Sequence, residues 1–248
     1  MLRKMNDLGG FAIGAKDGDI GEASDFIFDD KNWTVRYLVA DTERWLPGRR
    51  VLISPIVIDR VDWEGKRLPV LLTQEQVKNS PDISLDETLS AQDEIKYYDY
   101  YNWPYYWAGG DMWGPVTLPR ELSVEGIDRK VVLTEEINRS HLRSMKDVTG
   151  YSIQATDGEI GHVDDFVVDE DSWTIRYMIA ATRNWWPGKK VLISPQWIAN
   201  VDWQNSNLYV NLSRQAIKSG PEYDADKLTR SYETELYKHY GQPNYWWS

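Results

Sequence analysis

Asp17, Asp19, Asp29 and Asp30 sit on two turns, and the same chemistry returns 140 positions later at Asp157, Glu159, Asp169 and Glu170, with Asp164 and Asp165 added. Carboxylates facing each other across a turn could ligate a hard cation such as Ca²⁺ through oxygen. The twelve-residue EF-hand spacing with its closing Glu is absent. Asp also favours turns simply because it accepts local backbone amides, so solvated turn residues are the simpler expectation and ion or small-ligand binding the alternative. A second group is cationic: Arg49-Arg50 follows Trp45, and Lys189-Lys190 follows Trp185-Trp186. A cation over an indole makes a favourable contact, which fits either a local rim feature or a site for an anionic partner. The three histidines, His141, His162 and His239, share no metal-ligand spacing. No Ser-His-Asp order, nucleophile elbow or phosphate-cradling glycine loop occurs, and with no Cys in the chain there is neither a thiolate nor a disulfide. No catalytic residue, metal site or cofactor is expected.

The elements that must carry these residues come in two copies. Shifting the chain by 140 aligns residues 1–82 with 141–222 without a gap, and roughly 45% of the pairs are identical, the mark of duplicated domains rather than of a solenoid. The longest matched stretch is Trp45-Leu46-Pro47-Gly48-Arg49-Arg50-Val51-Leu52-Ile53-Ser54-Pro55 against Trp185-Trp186-Pro187-Gly188-Lys189-Lys190-Val191-Leu192-Ile193-Ser194-Pro195. A Pro-Gly turn followed by a short apolar run reads as a hairpin entering a buried strand. Within one repeat the pattern predicts strands over 11–15, 20–29, 34–42, 51–54, 56–63 and 68–72, with Gly21 at a bulge or close approach. Val35, Tyr37 and Val39 alternate with Arg36, which predicts a strand buried on one side, with Arg36 paired to a nearby acid across strands. Arg176 is its counterpart. Thr73 is placed to cap one helical turn over 73–78. Six short strands with little helix predict a small closed or nearly closed barrel, which leaves no edge exposed.

The ordered set Asp-Gly-x-Ile-Gly, Asp-Phe, Trp-x-x-Arg-Tyr, Trp-x-Pro-Gly and Val-Leu-Ile-Ser-Pro, present twice, resembles the PRC-barrel family. The resemblance covers 1–82 and 141–222. It implies a six-stranded β-barrel in each repeat and a role in docking partner proteins rather than in catalysis. The chain has no transmembrane helix ahead of its barrel, unlike the photosynthetic reaction centre H subunit, and has two copies where the ribosome-maturation factor has one. It looks most like stand-alone bacterial members.

Outside the repeats, polar helical stretches over 84–99 and 225–239 lead into aromatic tails. The shift of 140 pairs Tyr97, Tyr100, Tyr105 and Trp107 with Tyr237, Tyr240, Tyr245 and Trp247. Such tails either pack on a barrel or form a docking strip for a partner protein, since aromatics dominate interface hot spots, or a stacking platform for a glycan. The organisation expected is therefore a barrel at 1–82, helix and tail at 83–107, a linker at 108–140 with a stray strand over 130–133, a second barrel at 141–222 and its tail at 223–248. The two barrels would pack with pseudo-two-fold symmetry, as duplicated domains often keep an ancestral dimer contact. The residues expected to meet a partner are Trp45, Arg49, Arg50, Trp185, Trp186, Lys189, Lys190, Tyr105, Trp107, Tyr245 and Trp247. With 13 Trp, 15 Tyr and a net charge of −11, the expected partner is a protein. Nucleic acid is disfavoured by the charge, direct membrane insertion by the lack of a long apolar run, and homo-oligomerisation is left open. No leader pattern is evident at the N-terminus, and the expected location is the cytoplasm.

Overall fold

The structure is a computed structural model and describes residues 1–83, 89–123, 141–182 and 189–247. The first repeat contributes β1 (Leu2–Lys4), β2 (Ala12–Ala15), β3 (Gly18–Asp29), β4 (Thr34–Asp41), β5 (Arg50–Ile53), β6 (Arg67–Pro69) and the short helix α1 (Gln74–Lys78). Helix α2 (Ala91–Tyr101) follows. The second repeat brings β7 (Leu142–Ser144), α3 (Met145–Val148), β8 (Ser152–Ala155), β9 (Gly158–Asp169), β10 (Ile175–Ala181), β11 (Lys190–Ile193), β12 (Ile198–Asp202), β13 (Asn207–Val210) and α4 (Arg214–Ser219), and α5 (Arg230–Tyr240) closes the set. The strand predicted over 130–133 lies outside the described residues.

Two mixed sheets result. One has six strands in the order β5-β4-β3-β2-β6 with β7 on β3, and the other seven in the order β11-β10-β9-β8-β13-β12 with β1 on β9. The β2–β6 and β8–β13 pairs are parallel and the rest antiparallel. The closed barrel expected from the pattern is not formed: each pairing path is open. In the first repeat the strand predicted over 56–63 is replaced by a 3-10 turn at Pro55–Val57. Ser54 caps this turn with its hydroxyl and Pro55 sets its φ. After it isolated bridges, Ile58–Val70 and Asp62–Arg67, and single backbone bonds such as the Asp59 amide to the Pro69 carbonyl at 2.8 Å hold the segment.

The duplication is exact in register at the sheet centre. Glycine recurs at 21 and 161 because β3 and β9 each pass close to their neighbour there. A Cβ at either position would fall 2.0 Å from the carbonyl oxygen of Asp41 or Ala181, at φ +147° and +151°, a region only glycine enters without strain. Core residues repeat likewise: Ile13, Tyr37, Leu38, Ile53 and Leu68 answer to Ile153, Tyr177, Met178, Ile193 and Leu208, all fully buried. The one-sided burial predicted for β4 is corrected, since both faces of the strand are covered and Arg36 itself is 0% exposed.

Neither sheet is complete from its own repeat. β1, first in the sequence of the first repeat, hydrogen-bonds to β9 in the register Leu2–Asp169, Arg3–Val168, Lys4–Val167. β7, first in the second repeat, takes the equivalent place on β3 as Leu142–Asp29, Arg143–Phe28, Ser144–Ile27. The compact units consequently cross the repeat boundaries. The first-repeat unit is Asp7–Lys146 with Glu170–Thr174, and the second-repeat unit is Met1–Asn6, Asp147–Asp169 and Ile175–Ser248. The strands at 2–4 and 142–144 escaped the sequence pattern because three residues are too few to show a period.

Candidate functional site

The first cation of each hairpin turns inward. Arg49 donates through Nη1 to the Lys78 carbonyl at 2.5 Å and through Nη2 to that of Ser80. Lys189 repeats this with Nζ 2.8 Å from the carbonyls of both Lys218 and Gly220. A positive charge on the last carbonyls of α1 and α4 satisfies groups that a helix leaves unpaired at its C-terminal end. These cations thus tie the hairpin to the short helix. Of the second cations, Arg50 is exposed and Lys190 is 2.7 Å from Asp164. Trp45 is half-buried. Trp185 and Trp186 lie outside the described residues.

The Asp turns are engaged in the same inward manner. Asp17 and Asp157 accept the first amides of α1 and α4, from Gln74 and Arg214, each at 2.7 Å. Asp30 meets Arg143 at 3.0 Å and His141 at 3.1 Å. Thr73 forms a full capping box with Gln76. The described residues hold no cluster of His, Cys, Asp and Glu able to grip a metal ion.

Helices α2 and α5 carry the aromatic clusters. Ser90 and Thr229 cap their N-termini by accepting from Asp93 and Tyr232, and Asn102 and Gly241 end them in the left-handed conformation. Glu94, Tyr97 and Tyr98, spaced i, i+3, i+4, form the buried face of α2. The Glu94 Oε1 accepts from Tyr37 at 2.8 Å and Tyr106 at 3.0 Å. In the second-repeat unit the Glu233 Oε1 accepts from Tyr177 at 2.8 Å and Tyr245 at 2.9 Å. The structural correspondence is therefore Glu94 to Glu233, Tyr98 to Tyr237, Tyr106 to Tyr245 and Trp107 to Trp246, a shift of 139 (233 − 94). The shift of 140 read from the tails is corrected: it matched tyrosines by letter, but the caps and the shared carboxylate contacts move by one residue.

Arginine completes each cluster. Arg36 donates to Asp29 Oδ2 and to the Met112 carbonyl, both at 2.8 Å. Its guanidinium lies 4.0 Å from the Tyr106 ring centroid and 4.7 Å from that of Trp113. Arg176 sits 3.8 Å from Asp169 and 4.3 Å from the Tyr245 ring, but its side chain remains 22% exposed where that of Arg36 is 0%. The tails thus fold onto their own units instead of extending. Tyr105 is 8% exposed, donates to Asp99 at 2.6 Å and stacks on Trp107 at 4.8 Å. Tyr245 is half-buried over Arg176 and Arg230. Trp247 falls in the final 3-10 turn at Tyr245–Trp247.

Burial is the first cause of the charge states here. It holds the Glu94 carboxyl up to about 7 from an ordinary 4.5, against the phenol donors and the nearby Arg36 charge, which pull it down. Burial likewise raises the phenols of Tyr37, Tyr98 and Tyr106, keeping them as donors. The folded state binds the Glu94 proton more tightly than the unfolded chain does. The stability contributed by this group is therefore fully present below pH 4.5, declines as pH rises toward 7, and is flat above. The difference between 4.5 and about 7 corresponds to about 3 kcal/mol. Glu94→Gln keeps an oxygen for both phenols but cannot ionise. Urea midpoints measured from pH 5 to 8 should fall more steeply in the wild type than in the variant, where Asp165, raised by burial to about 6, still titrates, leaving the variant the more stable above pH 7. Parallel profiles would remove Glu94 as the source.

Comparison with known proteins agrees with this picture in the second repeat. Residues 142–216 match the PRC-barrel domain family model. The first repeat builds a similar sheet without a match to that family. No curated protein matches the chain.

Proposed function

We propose that the chain is a non-catalytic protein-interaction or scaffold module in which both repeats are PRC-type domains. The observation that carries this reading is where the ionisable groups are used. Arg36 with Asp29, Glu94 and Glu233 with their tyrosines, and Arg49 and Lys189 with helix carbonyls all serve internal joints. A reactive site needs such groups converging on an accessible cleft, whereas these hold strands, helices and tails together. The Asp turns, with Asp17 and Asp157 on helix amides, give the ion-binding alternative no added support. What the first unit offers to a partner is its hairpin rim. This comprises half-buried Trp45 with exposed Pro47, Gly48 and Arg50, an indole and a cation of the kind that anchors protein interfaces.

The reading is tested by affinity capture from the native host with full-length wild type and with a Trp45→Ala/Arg50→Glu variant. Both substitutions are at the rim and should leave the melting temperature within a few degrees. A captured protein that drops at least tenfold with the variant is the expected result. Identical captured sets would sink the hairpin as the docking element.

A further inference from the structure

The chain contains two donor segments of one type, Leu2-Arg3-Lys4-Met5-Asn6-Asp7 and Leu142-Arg143-Ser144-Met145-Lys146-Asp147, and two acceptor edges of one type, Asp25-Phe26-Ile27-Phe28-Asp29 and Asp165-Phe166-Val167-Val168-Asp169. Each donor lies on the acceptor of the other repeat. We propose that these edges accept the donor strand of a second copy of this chain, so that copies assemble by exchanging Leu2–Lys4. The proposal is independent of any role of the hairpin rims.

The fit is built into both ends of the contact. Asp165 accepts the Asn6 amide at 3.2 Å and stands 4.0 Å from the Lys4 ammonium. Asp25, its equivalent, accepts from the Ser144 hydroxyl at 2.6 Å and the Lys146 amide at 3.3 Å. In each case the carboxylate that opens the Asp-Phe-x-x-Asp edge holds the turn following the donor strand. Met5 and Met145, next after the strands, are buried. The backbone of the acceptor then pairs for three residues, as in strand addition to a sheet edge. The compact units divide just after each donor, between Asn6 and Asp7 and between Lys146 and Asp147, so the chain passes from one unit to the other where a swapped strand must leave its own repeat. The PRC-barrel match begins at Leu142, which places the donor strand inside the domain by sequence even though it pairs with the other sheet.

Donor and acceptor are matched by type, and the contacts do not distinguish a donor on the same chain from one on a neighbour. Only the tether does. A tether in one chain supplies an effective concentration on the order of 1 mM, so intrachain exchange prevails in dilute solution. Copies that fold together at concentrations near this value trap interchain exchange, the low-cost route to a dimer.

The absence of Cys permits a direct test. Lys4 and Val167 are opposite in the register. Full-length Lys4→Cys and Val167→Cys chains are unfolded together, refolded at about 1 mM and oxidised, and linked peptides are identified by mass spectrometry. A covalent dimer joining position 4 of one copy to position 167 of the other is expected, and dilute refolding of each chain before mixing should reduce it at least tenfold. The double variant, refolded dilute, should close within one chain. Failure of the mixed sample to form the dimer while the double variant closes would overturn the proposal. So would failure of the double variant, which would remove the pairing itself. Equal cross-linking of Lys4→Cys to a Leu71→Cys chain, whose thiol is on an exposed position outside both edge segments, would also overturn it.

Discussion

Replacing Arg36 with Met should destabilise the first-repeat unit by about 3–5 kcal/mol, the cost typical of breaking a buried ion pair from one side. Asp29 is 4% exposed, and although the Lys31 amide and Asn32 also donate to it, its charge would lose the Arg36 guanidinium at 2.8 Å. The contacts of that guanidinium with Tyr106 and Trp113 would go as well. Arg176→Met, at a pair 3.8 Å apart and partly in water, should cost about 1 kcal/mol or less. Since whole domains are stable by about 5–15 kcal/mol, the first variant should unfold early and the second hardly at all. Urea denaturation followed by near-ultraviolet circular dichroism separates the two. Adding Asp29→Leu to Arg36→Met should restore only part of the loss, because it removes the unpaired buried charge but leaves the Lys31 and Asn32 donors without their acceptor. Equal costs at positions 36 and 176 would contradict the assignment of Arg36 as a central joint.

Trp113→Ala should be nearly as damaging, at about 3–5 kcal/mol for a large aromatic truncated in a packed core. Trp113 is fully buried, packs edge-on to Tyr106 at 6.3 Å, and donates its indole N–H to the Ser172 carbonyl at 2.9 Å. Its own backbone is fixed by the Val116 carbonyl at 2.9 Å and by Gly114 in a left-handed turn. Trp113→Phe keeps most of the contact and leaves only the Ser172 carbonyl without its donor, a loss of about 1–2 kcal/mol. The Arg36 and Trp113 effects share one site and should sum to less than their parts. Thermal melts of the single and double variants test this directly, and strict additivity would show that the indole and the guanidinium act separately.

These joints also bear on the proposed role. A scaffold that docks partners through its rims gains from rigid units, because ordering costs subtract from affinity. The aromatic tails serve that rigidity. Their folding onto Glu94 and Glu233 uses the polar tips of Tyr while the rings bury apolar area, which is the physical reason a Tyr-rich tail can be internal.

The sequence by itself determined the duplication, the strand-rich composition, the hairpin at Pro47-Gly48, the glycines at 21 and 161, and the Thr73 cap. Each is a local matter: a turn residue, a steric exclusion or a side chain that reaches three residues along. That Arg36 pairs with an acid across strands was also legible, but not that the acid is Asp29 or that the pair is buried. Only the tertiary structure decided the rest. It put both faces of β4 in the core, replaced the strand after Pro55 with a 3-10 turn, and moved the tail correspondence from 140 to 139, because packing against a fixed strand reads the direction of a side chain and not its letter. It also placed Trp113 over Arg36. Above all it sent β1 and β7 to each other's sheets, a choice between equivalent edges that depends on the path of the chain and leaves no mark in any local pattern.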